Sequence, residues 1–75
     1  MFFIKSKYEK ELEYTLSELK NYLSNNYKDA AHTCREQLYS LAEQYFNDKL
    51  ISEKIYKKYI QIYKYYTNLM KDYHH

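Results

Sequence analysis

Apolar residues recur along this chain at alternating steps of four and three, in three separate stretches. The first runs through Tyr8, Leu12, Leu19 and Tyr22, with Thr15 holding the intervening step and Leu16 and Leu23 widening the stripe. The second repeats the spacing through Tyr27, Ala31, Cys34, Leu38, Leu41 and Tyr45. The third is an unbroken ladder of Ile55, Tyr59, Ile62, Tyr66, Leu69 and Tyr73, with Tyr56, Tyr63 and Met70 beside it. At about 100° per residue each set falls on one side of a helix, while Glu9, Lys10, Glu11, Glu13, Glu18 and Lys20 lie mostly on the flanks and back of the first. The pattern predicts three amphipathic helices over about residues 5–23, 27–47 and 52–73.

The breaks between stretches carry turn chemistry. Ser24-Asn25-Asn26 ends the first helix, because asparagine is the residue other than glycine that best tolerates a left-handed cap. Asn26 is also placed to N-cap the second helix, with Asp29 near its positive end. Asn47 to Ser52 forms the second break, where Ser52 suits an N-cap and Ile51 can staple against Tyr56. Helices joined by such short connections pack as antiparallel neighbours, so the expected fold is an all-α, up-down-up three-helix bundle in a single domain over residues 1–75. A helical hairpin whose third helix is paired or swapped in a dimer is the alternative, since the third seam is broader than a three-helix core requires. Small residues at Ala30, Ala31 and Cys34 should let a neighbouring helix approach the first half of the second one closely.

Composition narrows this picture. The 75-residue chain contains no glycine and no proline, which removes phosphate-cradling loops and rigid corners. Twelve tyrosines supply rings for a small core and hydroxyls for its wet edge, and they serve equally well on a partner-facing surface. The one cysteine cannot form an internal disulfide, so a reducing, cytoplasmic setting is expected. Met1-Phe2-Phe3-Ile4 is too short an apolar run for a secretory signal, and no stretch reaches the length of a membrane span.

Residues of a type able to carry chemistry are few. Cys34 sits on the second seam between Ala31 and Leu38, which predicts a buried structural thiol rather than a nucleophile. His32 and Glu36 stand four apart on the expected outer face of the second helix, and His74 and His75 end the chain. Two or three scattered ligands do not make a structural metal site, so no metal or other cofactor is expected. Lys54, Lys57, Lys58, Lys64 and Lys71 form a basic face opposite the third seam, a candidate for tracking phosphates. The net charge of only +2 and the single arginine weigh against nucleic acid. Tyr14, Tyr39 and Tyr65 point away from the seams, and Phe2 and Phe3 precede the first helix.

With no paired acid and base at the core and no cofactor motif, an enzyme is not expected. The sequence points to a small helical protein–protein interaction or regulatory module, binding a protein partner or itself as a homodimer. Its candidate interface is Tyr56, Tyr59, Tyr63, Tyr66, Met70 and Tyr73. A nucleic-acid-associated accessory protein using the lysine face is the alternative, and a metal-binding or enzymatic protein a remote one.

Overall fold

A computed structural model describes residues 5–71. It contains α1 (Lys7–Ser24), α2 (Lys28–Asn47) and α3 (Glu53–Leu69), packed as the expected up-down-up three-helix bundle, with no strand among the described residues. Helix α1 opens on a cap that the seam pattern did not single out. The Ser6 hydroxyl accepts from the Glu9 backbone N–H at 3.2 Å, in a Ser-x-x-Glu spacing that is a legible capping signal. Ser52 caps α3 as expected, accepting from the Ile55 N–H at 3.2 Å.

Both connections are Schellman turns. After α1, Asn26 takes φ 60°, its N–H bonds to Leu23 O at 3.1 Å, and the Tyr27 N–H bonds to Tyr22 O at 2.9 Å. The Tyr22 and Tyr27 rings then meet at 6.5 Å, the hydrophobic contact that accompanies this motif. Asn26 is therefore spent on the left-handed position, and the N-cap of α2 is Tyr27, whose side chain makes no capping bond. This also pulls Tyr27 off the seam, leaving it exposed. After α2 the same turn recurs, with Lys49 at φ 60° and the Leu50 N–H bonded to Tyr45 O at 2.8 Å. A Cβ in the left-handed region is strained, so Lys49→Gly should stabilise the fold by about 0.5–1 kcal/mol, read as a higher urea midpoint.

The core forms two clusters along the bundle. One joins Leu12 of α1, Leu38, Ala42 and Tyr45 of α2, Ile51 of the second turn and Tyr59 of α3. The other joins Leu19, Ala31, Cys34 and Met70. Tyr59 of α3 and Met70 at its C-cap thus complete clusters shared with α1 and α2. Helix α2 is the central element, packing extensively on α1 and on α3, whereas the backbones of α1 and α3 approach each other only sparsely. Side-chain size accounts for the difference. Thr15, Ala31 and Cys34 let α1 and α2 come close enough for the Cys34 thiol to donate to Thr15 O at 3.3 Å, while Tyr59 and Tyr66 stand between α1 and α3.

The burial pattern departs from the ladders in one systematic way. A straight helix drifts about 20° per heptad against a strict seven-residue repeat. In α2 the buried position is accordingly Ala42 rather than Leu41, which is half-buried. In α3 Met70 is 1% exposed whereas Leu69 is 58% exposed, and Ile62, a central rung of the expected ladder, is only half-buried. Helix α3 also ends at Leu69 rather than near residue 73, and Met70 closes the end of the core against Leu19 and Ala31.

Candidate functional site

Most of the tyrosines proposed as an interface are used inside the bundle. Tyr59 is 1% exposed and, like Met70, lies in the core, so neither is available to a partner. Tyr56 and Tyr63 line the α2/α3 seam. The Tyr56 hydroxyl donates to the Glu43 carboxylate while its ring stacks on Phe46 at 4.2 Å. One heptad further along both helices, the Tyr63 hydroxyl donates to Glu36 at 3.0 Å and its ring packs on Tyr39 at 4.7 Å. On the α1/α2 side the Tyr45 hydroxyl donates to Glu11 at 2.7 Å. In each case the ring fills the seam and the hydroxyl ties down a glutamate on the neighbouring helix, which fixes register. Of the candidate set Tyr66, half-buried, borders the groove between α1 and α3; Tyr73 lies outside the described residues.

That groove is an open surface. It encloses about 310 Å³ and is lined by Leu16 and Lys20 from α1 and by Gln61, Ile62, Tyr65 and Tyr66 from α3. Tyr65, 62% exposed, stands edge-on to Tyr66 at 5.0 Å on its outer wall, and Leu69 continues the same face one turn on. Leu16, Leu23, Ile62 and Tyr66 are half-buried beneath. Sequence reasoning placed Tyr65 off the seam but missed that it shares a face with Leu69 and with Leu16 of α1. The drift of α3 against its heptad ladder was the available signal.

The lysines Lys54, Lys57, Lys58, Lys64 and Lys71 are all exposed. Lys57 is committed to Glu53 at 2.7 Å, an (i, i+4) pair that raises the ammonium pKa and lowers the carboxyl pKa. Lys58 lies 5.5 Å from the centre of the Tyr59 ring. The four within α3 do not form one uniform surface, because helical phase turns Lys54 and Lys58 toward the α1 side and Lys57 and Lys64 toward the opposite flank, while Lys71 follows the end of the helix.

Cys34 is buried, as expected, and burial followed by the nearby Glu18 charge pushes its thiol pKa up, away from the reactive thiolate. Glu36 is exposed, as its outer-face position implied, but it is not without partners. The Arg35 guanidinium holds it at 2.8 Å, Tyr63 binds it from α3, and these contacts, Arg35 first, lower its carboxyl pKa. Arg35 Nη1 also donates to His32 Nδ1 at 3.2 Å. No group of three or more His, Cys, Asp or Glu side chains placed to hold a metal ion occurs among the described residues. No helix among them is long and apolar enough to cross a membrane. Comparison with protein-family models, with curated proteins and with solved structures finds no match to this chain.

Proposed function

We propose that this chain is a protein–protein interaction module without catalysis of its own, and that the α1/α3 groove is its working surface. The exposure of Tyr65 and Leu69 over a half-buried apolar floor is the observation that carries this reading. A small chain needs its large apolar side chains for its own core, and contiguous apolar surface left in water commonly marks an interaction site. The shape suits a helical segment of a partner, laid along the groove with apolar residues toward Leu16, Ile62 and Tyr66. A reducing, cytoplasmic setting is consistent with the single thiol.

The test is a photo-crosslinking amino acid installed at position 65 in the native host, with position 14 as control. Tyr14 is 64% exposed but lies away from the groove. Defined protein adducts from position 65 and few from position 14 are expected; equal yields from both would contradict the reading.

The nucleic-acid alternative makes a different demand. Lysines that neutralise phosphates give an affinity that falls steeply with salt. With Lys57 already paired and the other lysines of α3 divided between two flanks, no appreciable binding of generic DNA or RNA is expected at physiological salt. Fluorescence anisotropy across a salt series checks this. Salt-sensitive micromolar binding abolished by Lys57→Glu with Lys64→Glu would favour the alternative.

A further inference from the structure

Helical phase places one row of residues on α1 and one on α3 beside the groove and its continuation toward the start of both helices, and the two rows match each other in chemistry and in spacing. On α1 the row is Glu9 and Glu13, both half-buried, the exposed Lys20, and the half-buried Leu23; on α3 it is Lys54, Lys58, Tyr65 and Leu69, all exposed. The two helices run parallel, and Lys20 and Tyr65 both line the groove, so corresponding members stand at about the same height. Read from one end, carboxylate faces ammonium twice, then ammonium faces an aromatic ring, then leucine faces leucine. Within one chain Tyr59 and Tyr66 stand between the two helices, Lys58 lies over the Tyr59 ring, and neither Lys54 nor Lys58 is in an ion pair among the described residues.

A two-fold axis running along the groove would lay α1 of one copy over α3 of the other without changing the heights of these residues. We infer that the chain forms a parallel two-fold homodimer through this groove. Glu9 and Glu13 then meet the partner subunit's Lys54 and Lys58, Lys20 covers the ring of the partner subunit's Tyr65, and Leu23 packs on the partner subunit's Leu69. Each contact occurs twice. The exposed Leu69 of each copy is buried against the partner subunit's Leu23, and within the two rows no like charges are opposed, which is the condition for a self-complementary interface. Lys5, which also binds Glu13, is exposed and leaves the second carboxylate oxygen free for this contact. Turning the second copy end for end instead would press Lys54 against the partner subunit's Leu69, leaving an ammonium over an apolar side chain without a counter-charge.

The inference rests on the groove being a protein-binding surface, and its test separates the two ideas. Sedimentation equilibrium over a dilution series would be run on the full chain, on Glu9→Lys with Glu13→Lys, on Lys54→Glu with Lys58→Glu, and on an equimolar mixture of these two variants. The wild-type chain should be a dimer, each double variant should weaken pairing by more than about tenfold through like-charge repulsion, and the mixture should restore a one-to-one dimer. Leu69→Asp, at an exposed position that the fold does not need, should also lose the dimer while keeping the melting temperature that the dilute, monomeric wild-type chain has. Dimers that survive in both charge variants, or a mixture that does not recover, would overturn the proposed geometry. A wild-type monomer at every concentration would overturn self-pairing; in that case adducts from position 65 to a different protein would leave the interaction reading standing, and no adducts at all would remove it too.

Discussion

Replacing Leu38 by alanine should cost about 2–5 kcal/mol, and replacing Ile62 should cost distinctly less, under about 2 kcal/mol. Leu38 has no exposed surface and sits in the cluster that joins all three helices, in contact with elements that cannot collapse independently around a cavity. A chain of 75 residues has roughly 4–11 kcal/mol of stability in total. Leu38→Ala therefore removes a large fraction of it. Ile62 lines the α1/α3 groove and already meets water on one side, so truncating it widens an open surface rather than hollowing a closed one. Urea unfolding followed by helical circular dichroism measures both. Equal losses at the two positions would contradict the placement of the core.

The second large effect is alkaline unfolding between about pH 10 and pH 12. Burial comes first in raising the Tyr45 pKa to about 12, reinforced by the bond to Glu11, and burial does the same for Tyr59, aided by the charges of Glu13 and Glu9. For Tyr56 the hydrogen bond to Glu43 is the leading cause of a pKa of about 12. An ordinary tyrosine titrates near pH 10, so the folded chain holds these protons more tightly than the unfolded one. A raised pKa gives a contribution that is complete below the unfolded value and is lost as pH rises through the folded one. Stability should thus be flat with respect to these groups below about pH 10, and tyrosinate absorbance should then appear cooperatively as helicity disappears. Tyr45→Phe should flatten the pH dependence of stability in this window by about one proton. Independent titration of all tyrosines near pH 10 with the helices intact would show that the seam hydroxyls are not held as described.

Much of the fold was legible because it depends on local periodicity. Leu12, Leu19, Ala31, Cys34 and Leu38 are buried where the seven-residue ladders put them, Ser52 caps α3, and asparagine takes the left-handed turn after α1. The third helix was harder. The ladder put Tyr59 inward and Tyr65 off the seam, as found, but it put Ile62 and Leu69 on the seam as well, because a heptad count drifts from the true phase before it reaches Leu69 and Met70. The glutamates that receive the tyrosine hydroxyls read as ordinary surface charges, because Glu11, Glu36 and Glu43 acquire their partners only once the helices are in register. The α1/α3 groove was illegible for the same reason. It is made by two helices that are not adjacent in the chain, and its width is set by rings on one of them.

If the Tyr65 and Leu69 face is held out of the fold for a partner, removing its apolar groups must leave the fold intact. The direct measurement is the thermal stability of a Tyr65→Ser, Leu69→Ser chain, at a concentration low enough that both it and the unaltered chain are monomeric. A change within about 0.5 kcal/mol, the ordinary range for surface substitutions, is the predicted result. A loss approaching that of Leu38→Ala would show that these side chains belong to the core and that the groove is not a surface kept for binding.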